Sequence, residues 1–150
     1  MNGYFHIAFL VPDIDAAMDE FGGLFEVDWR PVHEVVLELG TSVADRKPRR
    51  TRVTFTTGGP PAIELFEWET PPSEPALERP VLHHIGRWVD NLAAESSRLE
   101  AHGCHLALTL PGTDGKPERF AMHETSFGLQ IELVDVTIPK PHMVDLWPPD

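Results

Sequence analysis

Leu82-His83-His84-Ile85-Gly86 is anticipated near the start of the chain by Phe5-His6-Ile7-Ala8, and this echo decides how the rest is read. Each copy leads into a segment whose apolar residues fall at helical spacing. Each is answered further on by a short acidic strand pattern, Ile63-Glu64-Leu65 after the first and Ile131-Glu132-Leu133 after the second. His6 and His84 are 78 positions apart and Asp13 and Asp90, read as helix caps, are 77 apart, so strand and cap keep register to one residue. Glu64 and Glu132 are 68 apart, the shorter interval being absorbed in a compact turn from Pro111 to Pro117. Two Ile-Glu-Leu tripeptides can coincide by chance, but two complete strand-helix-strand-strand-strand patterns in register point to a duplicated module.

Working outward, Tyr4 to Val11 is a buried strand stopped by Pro12, and Asp13 caps a helix reaching about Phe25, interrupted late by Gly22-Gly23. Asp28 to Leu39 reads as one strand, Gly40 to Arg49 as a loop, Arg52 to Thr57 as a half-buried strand and Ala62 to Trp68 as the next. The proline-rich stretch from Thr70 to Pro80 suits a connector. In the second half the expected order is strand 81–89, a helix capped by Asp90 and stopped at His102-Gly103, then strands 104–110, 118–124 and 129–136. The expected architecture is α+β with tandem βαβββ modules at about 4–69 and 81–136, a connector at 70–80 and a tail at 137–150. At 150 residues the two modules share a single domain and one core.

A net charge of -12 excludes nucleic acid and anionic membrane as partners, since either requires a concentrated basic patch. The one basic run, Arg46-Lys47-Pro48-Arg49-Arg50-Thr51-Arg52, reads as a solvated loop entering a strand or as an anchor, through Arg52, for a substrate carboxylate or phosphate. A lone Cys104, no basic leader and no long apolar span give a cytoplasmic expectation, with the cysteine structural.

A carboxylate in a short apolar strand is costly unless it is paired or metal-bound. Ile63 and Leu65 flank Glu64 and turn to the opposite face, as Ile131 and Leu133 do around Glu132, so one face is core and the other looks into a cavity. Of eight histidines, only His6 and His84 recur in matched positions. The alignment selects His84 over His83, which should turn away. Two imidazoles and two carboxylates form a borderline donor set for a divalent metal ion, Zn, Ni, Co, Fe or Mn, with Mg a poorer match. Phe66 and Trp88 lie an even number of residues from Glu64 and His84 and are expected on the cavity face. His123 stands where a substrate contact would fit. Phe9, Phe55, Trp68 and Phe120 are further candidates for an apolar pocket wall.

The sequence order His6, Glu64, His84, Glu132 on paired modules, with Phe5 to Asp13, Leu82 to Gly86 and Gly128 to Leu133 as its specific parts, resembles the vicinal oxygen chelate superfamily. That superfamily includes glyoxalase I, methylmalonyl-CoA epimerase, extradiol dioxygenases and bleomycin-resistance proteins. The resemblance spans roughly residues 4 to 136. It implies a mixed, U-shaped, open barrel-like sheet with helices outside and a metal held by His6, Glu64, His84 and Glu132. The activity it implies is glyoxalase- or epimerase-like, a lyase or isomerase that moves a proton next to a carbonyl through a metal-bound enediolate, with Glu132 or Glu64 as base. The alternatives it carries are a drug- or natural-product-binding resistance protein and an iron-dependent extradiol-type dioxygenase. The ligand set resembles bacterial-type glyoxalase I, yet Leu10 and Trp68 stand near where that enzyme anchors glutathione. A small-molecule substrate is the expected partner, and a homodimer fits the family's habit of pairing modules.

Overall fold

The computed structural model describes residues 3–138 and Leu146. β1 (Tyr4–Leu10) gives way at Pro12 to α1 (Ile14–Phe25), followed by β2 (His33–Leu39), β3 (Lys47–Phe55) and β4 (Ala62–Trp68). The second module repeats the order as β5 (Val81–Val89), α2 (Leu92–Ala101), β6 (His105–Pro111), β7 (Pro117–Glu124) and β8 (Gln130–Asp135). Strands align as β2-β3-β4-β1-β5-β8-β7-β6, with β1/β4 and β5/β8 parallel and β1/β5 antiparallel where the modules join. Gly40 and Thr109 exchange backbone hydrogen bonds of 3.1 and 2.8 Å, so the two ends of the sheet meet and the sheet curls nearly into a barrel with one seam. No helix among the described residues is long and apolar enough to cross a membrane.

Local chemistry explains the elements. The Asp13 carboxylate accepts from the Ala16 N–H at 3.0 Å, and Ile14, Ala17 and Phe21 bury one stripe of α1. Gly22-Gly23 does not interrupt the helix. Instead the bare Gly22 admits the Trp29 indole, which donates to the Met18 carbonyl, and the helix ends at Glu26 in the left-handed conformation. α2 is capped by Asn91 rather than Asp90, its side chain accepting from Ala94 N–H. The repeat is thereby tighter than the sequence suggested, because Asp13 to Asn91 is 78 residues, the same interval as His6 to His84.

Strand ends shift as well. β2 begins at His33 rather than Asp28, and β3 begins at Lys47, so the loop is short and Pro48 lies within a strand. Pro48 is tolerated because residues 47–50 are paired along β2, whereas the β4 ladder starts only at Thr51.

Both helices pack on the outer face. α1 covers Leu65 and α2 covers Leu133, each fully buried. Burying such a leucine contributes about 1.5–3 kcal/mol. That burial also fixes register, since a one-residue slip would carry Glu64 and Glu132 under the helices and their leucines into the cavity. The inner face carries a separate cluster that includes Phe5, Phe55, Phe66, Phe120, Val134 and Leu146.

Candidate metal centre

Four strands at the middle of the sheet each contribute one polar side chain to the inner face: His6 from β1, Glu64 from β4, His84 from β5 and Glu132 from β8. All four are buried, the histidines to 1% exposure. His6 Nε2 lies 2.8 Å from Glu64 Oε2, 3.2 Å from Glu132 Oε2 and 3.0 Å from His84 Nε2. His84 Nε2 lies 3.5 and 3.4 Å from the same carboxylate oxygens. Metal–ligand bonds of about 2.1 Å place neighbouring donors roughly 3.0 Å apart at right angles and roughly 3.4 Å apart at the tetrahedral angle. The observed spacings, 2.8 to 3.5 Å, bracket those values, all four donor atoms lie within 4.8 Å of one another, and two imidazoles with two carboxylates are a donor set suited to a divalent cation. The residues present therefore fit a metal ion.

The two halves brace each other across the β1/β5 join. His6 faces Gly86 and Ala8 faces His84, so each histidine stands opposite the small residue two places beyond the other. A Cβ at Gly86 would lie 1.9 Å from His6 Cε1 and 2.2 Å from its Nδ1. The His-Ile-Gly triplet thus combines room for the opposing His6 ring with a candidate ligand, and Ala8 is the small residue at the matching place opposite His84.

Burial alone would lower the pKa of both histidines, but the carboxylates prevail. His6 is raised chiefly by the Glu64 charge, and His84 is raised to about 9 chiefly by the Glu132 charge. Burial would likewise raise both glutamates, yet Glu64 is brought down to about 2, mainly by His6, and Glu132 well below its ordinary value, mainly by His84. Without metal, the raised histidines contribute stability that is complete below their ordinary 6.5 and is lost as pH rises through about 9. The lowered Glu64 contributes stability present above 4.5 and lost as pH falls through about 2. A metal must displace the imidazolium protons, so its affinity rises with pH over the interval in which the metal-free cluster weakens. Melting curves from pH 6.5 to 9 should show the metal-free protein losing stability while the increment from added Zn grows, with proton release on titrating Zn near pH 7. Metal affinity that is flat over this range would contradict the assignment.

Above the cluster opens a cavity of about 590 Å³. Phe55, Phe66, Trp68 and Phe120 line it, joined by leucines, Met122 and Val134. Phe66 is therefore on the expected face. Trp88 is not among the lining residues: it is buried flat against Phe5 at 3.7 Å between ring centres. Phe9 packs against Phe21 on the helix side. Two expected substrate contacts lie elsewhere. Arg52 points to the outer face, where Asp15 at 3.1 Å and Glu67 at 3.6 Å hold it, because Thr51, Val53 and Phe55 take the inward positions of β3. His123 is fully buried beneath α2, where Ser96 Oγ lies 2.8 Å from its Nε2 and the Cys104 carbonyl 2.8 Å from its Nδ1. It acts there as a strut between sheet and helix, since Phe120 and Met122 occupy the inward positions of β7.

Two more residues of the basic run are also engaged, Arg49 with Glu74 and over the Trp68 ring, Arg50 with Glu34. His83 does not turn away from the cavity. β5 bulges between Leu82 and His84, and the His83 ring packs edge-on to Phe66 and Trp68. Its Nδ1 lies 2.9 Å from His84 Nδ1. Among the polar lining residues, Arg119 and His33 were not given as site residues by the sequence reading, nor was Gly86, which leaves room for the His6 ring. His142 lies outside the described residues.

In fold, the chain is similar to methylmalonyl-CoA epimerase from Mycobacterium tuberculosis at 21% identity and a TM-score of 0.59, over 94% of this chain and 90% of that one. It is similar to Streptomyces coelicolor methylmalonyl-CoA epimerase in complex with 2-nitronate-propionyl-CoA at 16% identity and a TM-score of 0.56, covering 88% and 95% respectively. A third likeness, to 4-hydroxymandelate synthase from Streptomyces coelicolor, has 12% identity and a TM-score of 0.56 and covers 97% of this chain but 52% of that one. No protein of curated function matches the chain in sequence. Residues 5–127 match the sequence pattern of a family that takes in His6, Glu64 and His84, and Glu132 follows just beyond on β8. The chain, with its two βαβββ modules around one cavity, belongs to the Glyoxalase/Bleomycin resistance protein/Dioxygenase superfamily.

Proposed function

We propose that this protein is a metal-dependent lyase or isomerase of the glyoxalase or epimerase type, moving a proton on the carbon beside a substrate carbonyl. The observation that carries the reading is the convergence of His6, Glu64, His84 and Glu132 at the floor of an apolar-walled cavity large enough for a small molecule. A divalent ion held there supplies a Lewis acid that stabilises negative charge developing on a substrate oxygen. His6 and His84 orient the site through Nε2, while Glu64 or Glu132 takes the proton from the substrate carbon and returns it. Phe55, Phe66 and Phe120 keep bulk water from the carbanionic carbon, which protects it from unguided reprotonation. The similarity in fold to epimerases, one of them bound to a nitronate analogue of a CoA ester, supports chemistry at a carbon next to a carbonyl.

Tag-free protein should contain a stoichiometric divalent metal, and a Glu64→Ala/Glu132→Ala double variant should not; equal content in the two sinks the proposal. Loaded protein is then expected to exchange solvent deuterium into a member of a panel of 2-oxo acids, acyl-CoAs and hemithioacetals without consuming oxygen. The apolar walls favour a second reading, a binding protein for an aromatic small molecule. Tight ligand binding that survives chelation, with no exchange, would select it. Oxygen uptake with a catechol that is lost on removing iron would select a dioxygenase instead.

A further inference from the structure

The cavity has largely apolar walls and a floor of two histidines and two glutamates, and one arginine lines it: Arg119 of β7. Its backbone is left-handed, φ 64°, a conformation that a residue with a long side chain seldom adopts without a reason elsewhere in the fold. The pairing of β6 with β7 shows how it arises. Thr109 faces Ala121, but the next residue, Leu110, faces Glu118, so Arg119 and Phe120 are extruded together from that ladder. Phe120 still pairs with Val134 of β8, while Arg119 has no partner in either ladder. The bulge places both side chains on the cavity wall.

Charge makes the placement more pointed. The chain has 24 acidic residues against 12 Lys and Arg, and Arg49, Arg50, Arg52, Arg87 and Arg98 each engage a carboxylate. Arg119 forms no ion pair among the described residues. Its neighbour Glu118 lays its side chain over Gly112 instead, where a Cβ would meet the carboxylate oxygen at 2.6 Å. The bulged strand thus holds a guanidinium, without a carboxylate partner among the described residues, on the cavity wall three residues along β7 from Met122, the residue that faces Glu132.

We propose that Arg119 is the recognition site for an anionic group, a carboxylate or phosphate, at the end of the substrate remote from the reacting carbonyl. The inference rests on the metal-floor reading for the orientation of the substrate, and it narrows the substrate class to molecules with a carbonyl at one end, an apolar middle and an anion at the other. A guanidinium fork meets either anion through two parallel hydrogen bonds, which neutral polar groups at the same place cannot match.

The test uses the full chain loaded with Zn and aryl hydroxamates of one and two rings, each with and without a distal carboxylate or phosphate, measured by calorimetry against wild type and Arg119→Gln. Wild type should bind the better-fitting anionic member about tenfold or more tightly than its neutral parent, in keeping with a charged hydrogen-bonded pair. Arg119→Gln should lose that gain while binding the neutral hydroxamates as wild type does. The carboxylate and phosphate arms show which anion the site prefers. No anionic advantage in wild type, or an advantage that survives in Arg119→Gln, overturns the proposal. Hydroxamates that bind equally with and without metal would instead defeat the metal-floor reading. In that event aryl carboxylates compared with their carboxamides on the metal-free chain still read Arg119, and equal affinity or no binding there overturns it too.

Discussion

Gly86→Ala should weaken metal binding severely although it alters no proposed ligand. The added methyl carbon would sit 1.9 Å from His6 Cε1, 2.2 Å from Nδ1 and 2.6 Å from Nε2, far inside van der Waals contact. The imidazole cannot swing clear. Phe5 lies edge-on at 4.3 Å between ring centres, Phe55 at 5.6 Å and the His84 ring at 5.1 Å. Relief must therefore come from parting β1 and β5, the seam on which both histidines depend, or from a different His6 rotamer that removes Nε2 from the cluster. Overpacking of this kind costs about 1–3 kcal/mol in stability, a loss that leaves most domains folded. The effect on the metal is expected to be much larger, a drop in affinity of more than about a hundredfold, since one of four ligands is displaced. Equilibrium dialysis with Zn, alongside a melting curve to confirm folding, measures both. Ala8→Gly, at the symmetry-related position opposite His84, should keep its metal. Wild-type affinity in a folded Gly86→Ala would show that His6 is not a ligand.

The same pair of positions shows what a duplicated sequence makes legible. Equal spacing of His6 and His84, with Ile-Glu-Leu recurring in each half, locates the four donors because a repeat carries its register with it, and the structure tightens that register by placing the second cap at Asn91. Readings that relied on strict strand alternation fared according to whether the strand was regular. Phe66 on the unbulged β4 faces the cavity as parity requires. His83 does not follow parity, because the bulge opposite Ala8 and Phe9 exists only once β1 is paired to β5. Arg119 is hidden for a related reason: a left-handed arginine has no local sequence signal comparable to Asn-Gly or Asp-Gly. Arg52 and His123 were recoverable in principle. Val53 with Phe55, and Phe120 with Met122, mark the inward parity of their strands, and Arg52 and His123 each fall one position out of step with them, on the helix side. A basic run and a histidine near a turn look like binding chemistry in one dimension; under a helix they are neutralised or built in.

His84→Ala should remove the metal beyond detection, whereas His83→Ala should weaken it by about 10–100-fold, the usual consequence of losing a partner behind a ligand. The difference follows from the direction of the hydrogen bond between the rings. To offer Nε2 to a metal, His84 must carry its proton on Nδ1, and the His83 Nδ1 2.9 Å away must then accept it. His83 is suited to do so: burial, followed by the neighbouring His84 charge, lowers its pKa to about 4, so it is neutral and has one lone pair to give. Its other nitrogen then carries a proton and faces the Gln130 amide at 3.2 Å, which accepts once the amide is turned to present its oxygen. Reversing this chain would put a proton on His84 Nε2 and close the site, so the relay from Gln130 through His83 selects the metal-binding tautomer. The His6 Nδ1, by contrast, is buried and has no such partner among the described residues, which leaves the two histidines unequal. His83→Asn, whose side-chain oxygen can accept from His84 Nδ1, should recover most of the affinity lost in His83→Ala. Zn affinity measured by competition with a chromophoric chelator, across the three variants, provides the order. Should His83→Ala lose its metal as completely as His84→Ala, the bulge would be presenting His83 as a ligand in its own right.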